Sequence, residues 1–190
     1  MIFLLPFKGI GAAKTRWSQL GERRHDLVLK LLQQNLRAVT TKAGYDNVFL
    51  VTPDPSSLQY FSAYRGILTR GGGLNPDLNE AAGQLKKKRA ADSVCVLLPD
   101  LPGLTTGEVD QLRRSADSAD VTLCPDTEDI GTNALVLKNW DIIPFSFEGA
   151  SFERHLKACH KRGVTHQILR SDGLAQDCDS VDDLEQYCLL

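Results

Sequence analysis

Hydrophobic and polar positions along this chain follow two alternating rhythms. Short continuous apolar runs occur at Ile2–Leu5, Val48–Val51, Gly66–Thr69, Val94 towards Pro102, Val121–Cys124, within Gly131–Leu137 and at Thr165–Leu169. Runs of this length, bounded by Gly, Pro, Asn or Asp, predict buried strands. Between them the spacing becomes helical. From Glu22 to about Ala43 the apolar residues Leu27, Leu31, Leu32, Leu36 and Val39 share one face, and Gly44 ends the helix. Shorter helices are predicted through Tyr64 (capped by Ser56 or Ser57), over Asp77–Arg89, to about Ser115, and over Phe152–Arg162 behind an N-cap Ser151. Thr105 or Thr106 caps the third of these, with Glu108 as its capping-box partner. A last helix start is predicted at Ser180 with Asp183. Strands that are apolar throughout, instead of alternating, are covered on both faces. The pattern therefore predicts an α/β fold, one domain over residues 1–190, with a mostly parallel sheet flanked by helices.

Composition narrows the function classes. A formal net charge of −2 gives no global field to attract nucleic acid or an acidic membrane, so any bound anion must be held locally. The apolar run before Pro6 and Lys8 is too short for a signal peptide or a membrane span. Five cysteines, widely spaced and without a C-x-x-C pair, fit a reducing cytoplasm and argue against a zinc site. Cys188 with Leu189 and Leu190 forms an apolar end that suits a homodimer contact.

Candidate chemistry starts from Asp100, a carboxylate at the end of the apolar run Val94–Leu98. It is either a turn aspartate before a Pro-Gly corner or the place where a ligand sits, because open α/β sheets bind ligands beyond the carboxyl ends of their strands. The loop after the first strand carries Lys8, Lys14 and Arg16 with Gly9 and Gly11. It suits a phosphate cradle or a solvated turn, and it matches neither the Walker nor the dinucleotide glycine pattern. Gly71, Gly72 and Gly73 precede a helix start at Asn75, where backbone can approach a ligand. Gly131, Thr132 and Asn133 offer donors to a phosphate or carboxylate. His155 and His160 are five positions apart and do not form a helical metal pair. Asp182 and Asp183 face the dipole of the last helix, which leaves Asp177 and Asp179, two positions apart, as spare carboxylates. Beside Asp100 they would make an oxygen-rich site for Mg²⁺, provided the chain brings them to the same strand end.

The order of Lys8…Lys14-Thr-Arg16, Gly71-Gly-Gly-Leu-Asn75, Leu98-Pro-Asp-Leu-Pro102, Gly131-Thr-Asn-Ala134, Phe147-Glu-Gly-Ala-Ser-Phe-Glu-Arg-His155 and Asp177-Cys-Asp-Ser-Val-Asp-Asp-Leu184 resembles the MobA-like nucleotidyltransferases. It is more similar still to the 2-phospholactate or phosphoenolpyruvate guanylyltransferases, the CofC/FbiD family of deazaflavin coenzyme F-420 biosynthesis. The resemblance implies GTP as donor, Mg²⁺ as cofactor and a phosphorylated three-carbon acid as acceptor. It implies that Lys8, Lys14, Arg16 and Asp100 act at the phosphates, with Asp100, Asp177 and Asp179 on the metal. Gly71, Gly72, Gly73, Asn75 and Pro99 fall to the nucleotide, and Thr132 and Ser151 to the acceptor. The usual Phe-Gly-x-x-Ser spacing puts Glu148 at the family's acceptor-site glycine, with Gly149 one place later. The chain also has Gly9-Ile-Gly11 where the family more often has Pro-Leu. Phosphoenolpyruvate, 2-phospholactate and 3-phosphoglycerate are not distinguished. Another MobA-like or sugar nucleotidyltransferase, and a non-catalytic nucleotide-binding protein, are the alternatives.

Overall fold

The computed structural model describes residues 1–90, 92–180, 183 and 187, without the side chain of Arg16. The expectations for the Arg16 guanidinium, Asp182, Leu184 and the end at Cys188, Leu189 and Leu190 therefore lie outside the described residues.

Seven strands form one sheet: β1 (Ile2–Pro6), β2 (Val48–Thr52), β3 (Arg65–Leu68), β4 (Val94–Leu97), β5 (Val121–Pro125), β6 (Thr132–Leu137) and β7 (His166–Ile168). Their order is β3-β2-β1-β4-β6-β5-β7. Every pairing is parallel except those of β6, which runs antiparallel to β4 and β5. The helices are α1 (Arg23–Ala43), α2 (Pro55–Tyr60), α3 (Leu74–Arg89), α4 (Thr106–Ser118), α5 (Ser151–Arg162) and α6 (Asp172–Ala175). None of the described helices is long and apolar enough to cross a membrane.

The apolar strands are covered on both faces because alternate side chains serve two separate cores. Phe3 and Leu5 of β1 and Cys95 and Leu97 of β4 pack with Leu31, Leu32 and Leu36 of α1 and Val109 and Leu112 of α4. Ile2, Leu4, Val94 and Val96 point the other way, towards Leu78 of α3, Phe152 of α5 and the Trp140–Phe147 connection. Burial of these side chains favours the helices on each face, at about 25 cal/mol per Å² of apolar area removed from water.

The order in which strands are added reverses between the parallel neighbours β1 and β4: β2 and β3 lie on one side of β1, and β4 begins the other half. Loops leaving neighbouring strands at such a switch point diverge and open a crevice. The loops after β1 and β4 are the ones that carry Lys8, Lys14 and Asp100.

Several helix starts differ from the sequence expectation. Asp54, not Ser56 or Ser57, caps α2, its carboxylate accepting the Ser56 N–H at 3.0 Å and the Ser57 hydroxyl at 2.6 Å. Helix α3 begins at Leu74 instead of Asp77, so Pro76 sits in its first turn, where a missing N–H is harmless. Ser151 is the first residue of α5 and Ala150 its N-cap. The Thr105–Glu108 capping box forms with both reciprocal bonds.

Candidate active site

One backbone hydrogen bond and one side-chain amide decide where the acidic C-terminal segment goes. Cys178 donates its N–H to the Asp100 carbonyl at 2.9 Å and buries its side chain. The residues on either side then face the opposite way, as alternation in extended chain requires. The amide of Asn133 holds the preceding turn by donating to the carbonyls of Leu174 and Ala175, both at 3.0 Å. As a result Asp177 and Asp179 stand beside Asp100, with one carboxylate oxygen from each residue lying within 4.8 Å of the others.

Lys14 lies across this cluster. Its ammonium donates to Asp100 Oδ2 at 2.7 Å and to Asp179 Oδ1 at 2.8 Å. Its backbone is left-handed (φ 50°, ψ 47°), a conformation that costs a non-glycine residue about 1 kcal/mol and that the two ion pairs offset. Burial lowers the Lys14 pKa, but the charges and hydrogen bonds of Asp100 and Asp179 outweigh it and hold the amine protonated. Burial, then the neighbouring charges of Asp100 and Asp179, pushes Asp177 up to about 6. Asp100 Oδ1 is buried and has no hydrogen-bond partner. A buried, unpartnered oxygen on one member of a three-carboxylate group is costly unless a cation completes the group. The donor set, all carboxylate oxygen, fits a hard divalent cation of the Mg²⁺ type. Trp17, fully buried, secures the outer carboxylate by donating its indole N–H to the Asp179 carbonyl at 3.1 Å.

The crevice in front of these groups is a cavity of about 650 Å³, lined among others by Lys8, Lys14, Gly71, Gly73, Asp77, Pro99 and Asp100. Its volume suits a nucleotide-sized ligand. The glycines of the two loops that flank it have different reasons to be glycine. Gly9 has φ 97°, and a Cβ there would meet Asp54 Cβ at 2.7 Å, whereas Gly11 has open space around it. Only Gly9 is therefore needed for close approach, and its neighbour is Asp54. At the second glycine loop, the N–H groups of Gly71 and Gly72 donate to Asp77 Oδ1 at 3.1 and 3.2 Å, so the loop is pinned by the first turn of α3. The Asn75 amide turns to the opposite side, its oxygen accepting the Phe147 N–H at 2.8 Å.

That last bond joins the nucleotide side to the segment Phe145–Ser151. Glu148 is exposed and faces Gly73, and Gly149 holds φ 54°, a conformation suited to glycine. Ser151 is buried at the start of α5, its N–H bonded to the Gly149 carbonyl at 2.7 Å. Of the three residues read as donors at the start of β6, two spend their donors internally: Gly131 N–H on Asp126 at 2.6 Å and the Asn133 amide on the α6 turn. Thr132 instead meets His155, with Oγ1 3.0 Å from Nδ1. Sequence reasoning does not single out His155, Trp17 or Asp77 as site residues. For His155 a signal is present, since it closes the Phe147…His155 motif, but its spacing to a second histidine says nothing about a threonine partner.

The whole chain also matches known proteins. The model for "Guanylyl transferase CofC like" proteins matches residues 1–189. A phosphoenolpyruvate guanylyltransferase from Sphaerobacter thermophilus is 36% identical over 190 residues, covering 97% of this chain and 91% of the relative. A 2-phospho-L-lactate guanylyltransferase from Methanocaldococcus jannaschii is 27% identical, covering 97% and 80%. Among solved structures, CMP:2-keto-3-deoxy-manno-octonic acid synthetase with CTP superposes with a TM-score of 0.68 at 13% identity, covering 99% and 97% of the two chains, which establishes a shared fold. The match along the full chain places this protein in the CofC-like guanylyl transferase family.

Proposed function

We propose that this protein transfers GMP from GTP to a phosphorylated three-carbon acid, releasing pyrophosphate, as a step of deazaflavin coenzyme F-420 biosynthesis. The observation that carries the reading is the meeting of Lys14, Asp100, Asp177 and Asp179 at the switch-point crevice of a chain matched to this family over residues 1–189. Relatives named for phosphoenolpyruvate reach 36% identity and those named for 2-phospho-L-lactate 27%, so phosphoenolpyruvate is the acceptor we favour.

In the reaction, a non-bridging oxygen of the acceptor phosphate attacks the α-phosphorus of GTP. The bond from that phosphorus to the α,β-bridging oxygen breaks, and pyrophosphate leaves with the electron pair. A phosphate monoester has its second pKa near ~6 and is largely ionised at neutral pH, so no general base is needed. Lys8 and Lys14 neutralise charge on the leaving pyrophosphate, and Arg16 has the same role in this reading. Asp100, Asp177 and Asp179 would hold Mg²⁺, which when bound supplies Lewis-acid neutralisation of phosphate charge. The glycine loop at Gly71–Gly73, with Asn75 and Pro99, borders the guanosine, while Thr132, Ser151 and the backbone at Glu148 and Gly149 receive the acceptor.

The test is pyrophosphate release from GTP with phosphoenolpyruvate, 2-phospholactate or 3-phosphoglycerate in Mg²⁺. Acceptor-dependent release is expected, with Asp100→Asn reducing turnover at least about 100-fold, the order seen when a charge-stabilising group is removed. Nucleotide-dependent thermal stabilisation without product from any acceptor would instead support a non-catalytic nucleotide-binding protein. Product from another nucleotide or acceptor alone would assign a different nucleotidyltransferase.

A further inference from the structure

His155 is fully buried, and both of its ring nitrogens are engaged outside the phosphate chemistry above. Nε2 lies 3.1 Å from the backbone nitrogen of Ser146. A backbone N–H can only donate, so Nε2 is the unprotonated nitrogen and a neutral ring carries its proton on Nδ1. Nδ1–H then donates to Thr132 Oγ1, at 3.0 Å. The Thr132 hydroxyl thereby uses a lone pair on His155 and cannot give its own proton back to that nitrogen. Its single O–H is then not spent on His155. The Phe147 ring meets the imidazole edge-on with centroids 5.1 Å apart, which fixes the ring plane. One side chain thus ties the start of β6 to the segment that leads through Glu148 and Gly149 to Ser151.

We propose that His155 is a positioning residue for the acceptor: as a neutral Nδ1–H tautomer it aims the Thr132 hydroxyl as a donor and holds the Ser146–Gly149 backbone opposite it. This rests on Thr132 and Ser151 binding the acceptor, as read above. Burial first, and then the charge of Arg154, pushes the ring down to about 4, which keeps it neutral in the working range. The bound group is an anionic phosphoacid, and a neutral histidine contributes here through direction, not charge. The residue is accordingly expected to act on acceptor binding directly and to reach the nucleotide side only at second hand, through the Phe147–Asn75 bond.

The experiment measures KM for phosphoenolpyruvate and for GTP, with kcat, in His155→Phe, His155→Asn, Thr132→Val and His155→Phe/Thr132→Val. His155→Phe keeps the ring volume and loses both bonds. His155→Asn keeps an N–H donor on the Thr132 side and loses the bond from Ser146. The expected result is a rise of about tenfold in the acceptor KM of His155→Phe, with the GTP KM unchanged within about twofold. His155→Asn should recover part of the loss. The double variant should be no worse than the more affected single, because both changes remove one coupled unit. Equal rises in both KM values, or additive losses in the double variant, would overturn the proposal. An imidazole ¹⁵N spectrum of the wild type is independent of turnover and of whether His155→Phe folds. The Nδ1–H tautomer between about pH 6 and 8 supports the proposal and the Nε2–H tautomer overturns it. Absence of turnover with every acceptor, alongside the Nδ1–H tautomer, would overturn the functional reading and, with it, the acceptor role, while a specific loss in His155→Phe supports both.

Discussion

At the scale of single residues, the protonation of the site's titratable groups is set by burial and by their charged neighbours. Asp177 sits near 6 because it is buried beside two other carboxylates, and Lys14 stays protonated because two of those carboxylates outweigh its burial. His155 illustrates the opposite sign. Its folded pKa of about 4 lies below the ordinary 6.5, so the unfolded chain binds the proton more readily. The stability tied to the neutral ring is complete above about pH 6.5 and is lost as pH falls from there towards 4. Its full size is about 3 kcal/mol by linkage. Urea unfolding at pH 7 and pH 4.5 checks this: the acid-induced loss should be smaller in His155→Phe than in the wild type by about 2 kcal/mol. An identical loss in both would place the titration elsewhere. Among site residues, Asp100, Lys14, Asp177 and Asp179 are legible in the sequence because unexplained charges at predicted strand ends are few. His155 is not, because a lone histidine at helical spacing looks the same whether it binds a threonine or only fills space.

At the scale of elements, the short α6 turn and the Gln176–Asp179 segment beyond it do more for the site than their length suggests. Gly173 touches the loop after β4 so closely that a Cβ would meet the Gly103 carbonyl oxygen and the Glu108 carboxylate, each at 2.3 Å. The same Glu108 carboxylate accepts from Ser171 at 2.7 Å and from the Thr105 N–H at 2.8 Å, so the capping box of α4 also anchors α6. Gly173→Ala should therefore cost about 1–3 kcal/mol through overpacking and should also raise the Mg²⁺ concentration needed for half-maximal turnover, since it displaces the chain leading to Asp177 and Asp179. Gly83→Ala is the comparison: Gly83 lies within α3 with nothing within 4 Å of its added Cβ, and the change should stabilise by up to about 1 kcal/mol. Thermal unfolding with a Mg²⁺ titration reads both variants. Destabilisation by Gly173→Ala with an unchanged Mg²⁺ requirement would separate packing from the site. Helix α6 is invisible in the residue pattern, because four residues carry no readable period, and its tie to Asn133 spans 41 residues of chain.

At the scale of the whole molecule, two-faced burial of the strands is readable from their unbroken apolar composition, and with it the three-layer α/β arrangement. The direction of β6 is not. All six of its residues are buried, and a strand buried on both faces carries the same composition whichever way it runs. Its antiparallel course is nonetheless what brings Thr132 to the crevice end of the sheet, beside the exit of β4. Likewise the long-range pairing of Cys178 with Asp100 cannot be read from spacing, yet it turns two distant aspartates into neighbours. These features converge on one proposed event, attack of the acceptor phosphate on the α-phosphorus of GTP at this switch point. The most direct measurement uses phosphoenolpyruvate labelled with ¹⁸O in the non-bridging phosphate oxygens, followed by mass analysis of both products. If the attack takes this course, the guanosine diphosphodiester retains all of the label and pyrophosphate carries none. Label in pyrophosphate, or a labelled product containing GTP's β- or γ-phosphate in place of its α-phosphate, would contradict it.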